Sequence, residues 1–170
     1  MDDSISTFAR AAREYCALVE RESSGTSWEF AADCLASLLR LHLHALALPN
    51  AKPSTDEVLD RVDDIAREQV LKNLTRLKRD LYWSVFEPIE GEKPEPGVGS
   101  LSDDLADIWR DVKPGLLAIE NGGSGALDGA VWHWRFSFET HWGRHSAEAI
   151  SGLHALCFGA FADATRPSYR

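Results

Sequence analysis

Apolar residues recur every three or four positions along five segments of this 170-residue chain, with prolines and glycines between the segments. That period is the mark of amphipathic helices, each needing a partner for one face. No alternating apolar–polar run is longer than Tyr82–Phe86. The chain is therefore expected to be all-α, a single-domain bundle of about five helices over residues 1–170. Its 44% hydrophobic content is enough to fill a sizeable core.

The first helix is expected from about Ser6 to Arg21, with Phe8, Ala12, Tyr15, Cys16 and Val19 on one stripe. A second, capped by Ser27, runs to Leu48 before Pro49 and is apolar on nearly every side. A third starts after Pro53, with Ser54 or Thr55 as its cap. Its acidic start and basic end suit the helix dipole, so Arg67, Arg76 and Arg79 read as a solvated helix end. Tyr82–Phe86 either finishes this helix or is a short extended piece. Residues 87–100, with three prolines and three glycines, form a loop. Ser100 caps the fourth helix, which Pro114 should kink or end. After the turn at residues 120–125, the fifth runs from about Leu127 to Phe158, with Gly129, Gly143 and Gly152 inside it. Each interior glycine weakens a helix by about 1 kcal/mol relative to alanine. Gly143, beside Trp142, is best explained by close approach of another backbone or a large ring. The second and fifth helices are expected to be the most buried, and residues 162–170 to fray.

The formal charge of −9 argues against nucleic acid, which needs a basic footprint, and against an anionic membrane surface. The acidic start MDDSISTF is not expected to act as a signal peptide, and the Leu35–Leu48 run is too short and polar to span a bilayer. A cytoplasmic protein is expected. Cys16, Cys34 and Cys157 have no paired spacing and read as small buried hydrophobes. His42 and His154 read as satisfied core histidines, and Arg135–Glu139 as an i,i+4 ion pair.

Chemistry can concentrate in residues 99–154. His133, Ser137, His141, Arg144 and Glu148 share one stripe of the fifth helix, with His145 beside it. His141 and His145, one turn apart, have a bidentate metal spacing. On the fourth helix Asp104, Asp107 and Asp111 share a face. If these two helices form an antiparallel hairpin turning near Gly123, Asp107 lies level with about Glu139 and Asp104 with about Trp142. A site made of Asp104, Asp107, His141 and His145 would suit Zn2+, Mn2+ or Fe2+. Glu148 or Glu139 would then be the general base, and Arg144 would hold an anionic substrate. The plainer reading of the same residues is a solvated face of an amphipathic helix or a buried hydrogen-bond network, with Asp103 and Asp104 favourable in a first turn. The DDxxD string at Asp103–Asp107 is shared with all-α prenyltransferases, but this chain has no second copy of it.

Four blocks carry a resemblance: Ala12–Glu20 (AREYCALVE), Tyr82–Pro88 (YWSVFEP), Gly99–Leu116 (GSLSDDLADIWRDVKPGL) and Val131–His154. Through them the chain resembles a family of bacterial proteins catalogued as domain of unknown function 5063. The resemblance implies a compact all-α protein of the bacterial cytoplasm and brings no catalytic residue with it. P-loop, dinucleotide, nucleophile-elbow and zinc-finger motifs are all missing from the sequence. The expected function is therefore a noncatalytic binding or interaction module with an unidentified protein or small-molecule partner. The alternative is a divalent-metal-dependent hydrolase using the site between the fourth and fifth helices.

Overall fold

The computed structural model describes residues 2–22, 25–52, 59–85, 89, 95–159 and 162. Helix α1 spans Asp3–Glu20, α2 Ser27–Leu46, α3 Asp64–Leu74, α4 Leu101–Asn121, α5 Ala126–Ser137 and α6 Gly143–Phe158. Strands β1 (Leu81–Val85) and β2 (Pro96–Ser100) form an antiparallel pair between α3 and α4. Among the described residues the chain is thus an all-α bundle with a small two-stranded sheet. Among the described residues no helix is long and apolar enough to cross a membrane.

Local chemistry sets the helix starts. Asp2, Thr26, Asp63 and Ser100 each accept a backbone N–H of the first turn they precede. Thr26, not Ser27, caps α2, because Glu29 completes a reciprocal capping box with it. The third helix begins ten residues later than Ser54 (64 against 54), at an Asp63 cap that orders Ala66 N–H. Ser54 and Thr55 lie outside the described residues, as do most of the expected loop and the tail beyond residue 162. Tyr82–Val85 is extended, and the strand extends back to Leu81.

Helix α4, rather than α2, is the centre of the bundle. It packs on α1, α3, α5 and α6, and eleven of its residues are buried. Helix α2 instead presents Leu39, Leu43 and Leu46 to solvent. Pro114 does not end α4, which continues to Asn121. Near the proline, α5 side chains bond α4 carbonyls: His133 Nε2 lies 3.0 Å from Asp111 O, and Trp134 Nε1 donates to Val112 O at 2.9 Å. The two helices can approach this closely because Gly115 lies under the Trp134 ring, where a Cβ would come within 2.4 Å.

Buried polar groups lock the remaining helices. Tyr15 O–H donates to Leu105 O at 2.7 Å, tying α1 to α4. Asn73 Nδ2 donates to the Val19 and Glu20 carbonyls at the end of α1. Trp28 Nε1 donates to Cys157 O. All three cysteines are buried thiols, and burial pushes Cys34 up to about 12. His42 is half-buried, with its Nδ1 on the Ser146 hydroxyl and its ring edge-on to Phe138. His154, expected in the core, is instead exposed, its ring beside Phe158 near the end of α6.

Candidate metal centre

The site lies where α4 meets the segment that follows α5. The expected fifth helix is not uniform: a π-helical turn, Phe138–Trp142, separates α5 from α6. His141 falls in that turn and His145 in the first turn of α6, their ring centroids 4.7 Å apart.

Each imidazole is held through Nδ1 by a carboxylate of α4. His145 Nδ1 is 2.7 Å from Asp104 Oδ1, and His141 Nδ1 is 2.7 Å from Asp111 Oδ2. Asp104 is only 5% exposed and its second oxygen accepts the Tyr82 hydroxyl. Both Asp104 oxygens are therefore occupied. The bond to Asp104 raises the His145 pKa, against an opposing effect of burial; Asp107 and Glu148 add to the rise. Burial and the same carboxylate raise Tyr82 strongly, so its hydroxyl keeps its proton.

Tyr82 reaches Asp104 because the hairpin is fastened to the start of α4. The Asp80 carboxylate accepts Ser102 N–H and the Ser100 hydroxyl, and its carbonyl accepts Leu101 N–H. Tyr82 pairs with Gly99, whose missing side chain leaves room for the phenol ring, and the ring also borders Gly152.

Asp107 lies between the two histidine–carboxylate pairs. One ligand atom each from Asp107, His141 and His145 falls within 4.8 Å of the other two. Asp107 is 8% exposed. Its Oδ1 accepts Arg67 at 2.9 Å and lies 3.2 Å from Arg110. Arg67 also bonds Asp103 at 2.7 Å, so this arginine belongs to the first turn of α3 and fastens that helix to α4. In its neutral form, with Nδ1–H donated to a carboxylate, each histidine keeps a lone pair on Nε2.

Of the four residues expected as ligands, three come together and Asp104 stands behind His145. Glu148 is 3.5 Å from the Tyr82 hydroxyl and 3.0 Å from Arg144. Glu139 is held by Arg135, whose other contacts are the Leu46 and Leu48 carbonyls at the end of α2. Glu148 is thus the expected base that sits beside the histidines. Asp111, Tyr82 and Arg67 are site residues that the sequence reading did not assign. Asp111 shares a face with Asp104 and Asp107, which was its available signal.

With the site in place, comparison with known proteins identifies the family. The chain belongs to the family described as Domain of unknown function (DUF5063), which matches residues 1–159. It is similar to the crystal structure of protein BF1032 from Bacteroides fragilis, a Northeast Structural Genomics Consortium target. That likeness has 25% sequence identity and a TM-score of 0.81, covering 95% of this chain and 97% of the other. No curated protein matches the chain.

Proposed function

We propose that this member of the DUF5063 family binds a divalent transition-metal ion through Asp107, His141 and His145 and uses it to activate water. The carrying observation is the pairing of each imidazole Nδ1 with an α4 carboxylate, around a third carboxylate within 4.8 Å. Metal-binding histidines characteristically donate their other ring N–H to a carboxylate, which fixes the tautomer and orients the ring. A solvated helix face has no need of two such pairs; a buried hydrogen-bond network would also contain them, and metal binding is what separates that reading from this one.

Two imidazoles and a carboxylate suit Zn2+, Mn2+ or Fe2+, and three protein ligands leave positions open for water. A bound ion lowers the pKa of that water towards neutrality. Glu148 would accept the proton, and Arg144, bonded to it, would meet an anionic substrate. The reading is therefore of a metal-dependent hydrolytic centre.

Elemental analysis and calorimetry with each ion test this. Binding near one equivalent is expected, and His141→Ala should abolish it while the helical circular dichroism persists. Wild-type protein giving neither heat nor thermal shift with any of the three ions would remove this reading. The noncatalytic interaction module would then stand, drawing on the exposed Leu39, Leu43 and Leu46 of α2.

A further inference from the structure

Residues 127–158 read as one helix, yet the π-turn breaks it at a defined point. Gly143 N–H donates to the Phe138 carbonyl, five residues back. A π-turn absorbs one residue that an α-helix would use for rotation.

The consequence is a change of face. In an unbroken α-helix, the step from His133 to His145 would rotate the side chain by about 120°; with one residue absorbed the difference falls to about 20°. The contacts agree with the smaller rotation. His133 Nε2 lies 3.0 Å from the Asp111 carbonyl and His145 Nδ1 lies 2.7 Å from the Asp104 carboxylate, so both rings face α4.

The turn depends on one missing side chain. A Cβ on Gly143 would sit 2.2 Å from the Phe138 carbonyl oxygen and 3.1 Å from the Phe138 ring. A backbone oxygen at that distance cannot yield as the end of a flexible side chain can. An alanine must push out the Phe138 carbonyl or expel the extra residue. The second course rotates α6 against α5 by about 100°.

We propose that Gly143 is a positioning residue: by admitting the π-turn it sets the register that carries His145 onto Asp104 of α4, and Glu148 towards Tyr82, and so assembles the metal centre. This rests on the metal-binding reading of the site. The turn and its glycine lie between the half of the segment that anchors to α4 near Pro114 and the half that bears His145. Their position matches that task.

The test compares wild type, Gly143→Ala and Leu153→Ala. Leu153 is buried on α6, so its truncation loosens packing without changing the register of the backbone. Titration with Mn2+ alone reads affinity. Proton NMR of the metal-free protein reads the downfield imidazole proton shared by His145 and Asp104. Gly143→Ala should lose that proton and weaken Mn2+ binding at least tenfold, whereas Leu153→Ala should melt earlier and keep both. If Gly143→Ala fails to fold, deletion of the exposed Thr140 removes the extra residue with the glycine intact and carries the same expectation. A variant of the turn that retains both signals overturns the proposal. If wild type binds no Mn2+ but the variant still loses the imidazole proton, the register role stands and the metal-binding reading falls.

Discussion

Asp104→Asn probes the polar wiring of the site directly. Asp104 is 5% exposed and receives two donors, the Tyr82 hydroxyl and the His145 Nδ1–H. An asparagine has one carbonyl oxygen, and its amide N–H groups must then face one of those donors. At pH 6 His145, its pKa raised above 6.5, carries a proton on both ring nitrogens, so one part-buried donor is left without an acceptor, which costs about 1–3 kcal/mol. With a urea slope of about 1–3 kcal/mol/M, the midpoint should fall by roughly 1 M. Tryptophan fluorescence in a urea series at pH 6 measures it. Asp103→Asn is the control: its side chain is 57% exposed and pairs with Arg67. An ion pair so open contributes about 0–1 kcal/mol. The same Asp104→Asn variant should bind metal about 10–100-fold more weakly, the usual consequence of removing a carboxylate behind a ligating histidine. An Asp104→Asn protein at least as stable as Asp103→Asn, with unaltered metal affinity, would refute the wiring.

Two further outcomes are expected. In the metal-free protein His145 should titrate above the ordinary imidazole value of 6.5, because its bond to Asp104 outweighs its burial. The pair's contribution to stability is then full below the unfolded-state value and is lost as pH rises through the raised folded value; NMR titration at or below 6.5 would contradict this. Gly115→Ala should destabilise on balance: overpacking against Trp134 costs about 1–3 kcal/mol, of which a helix-propensity gain offsets about 1 kcal/mol. Thermal melts would read it, and a variant melting at or above the parent temperature would show that the ring can move aside.

The helices were legible because their burial is periodic: Phe8, Ala12, Tyr15, Cys16 and Val19 all lie in the core as their spacing requires. The site was legible in composition and less so in register. Equal distance from Gly123 places Asp104 opposite Trp142, whereas it meets His145. Constant rise per residue could not account for the turn that takes up one residue. Only Gly143 hinted at that turn. A large ring does pack on it, that of Phe138, and the backbone approaching it is the Phe138 carbonyl of its own segment rather than a neighbour's. Arg67 was misread because a helix counted from Pro53 puts it near the basic end, while the Asp63 cap puts it in the first turn. Tyr82 was left unassigned because its role comes from a hairpin fastened by Asp80, twenty-two residues before Ser102, a contact with no local signature. The exposed side of α2 was missed since a helix apolar all round suggests full burial.

The most direct measurement of the central claim is an anomalous-difference crystal structure of protein soaked in Zn2+. The account predicts one strong peak bonded to a carboxylate oxygen of Asp107 and to a ring nitrogen each of His141 and His145, at about 2.0–2.2 Å. His145 should keep its Nδ1 contact with Asp104, and His141 its contact with Asp111. A map with no peak between these three side chains, at a Zn2+ concentration that fills other surface sites, would contradict it.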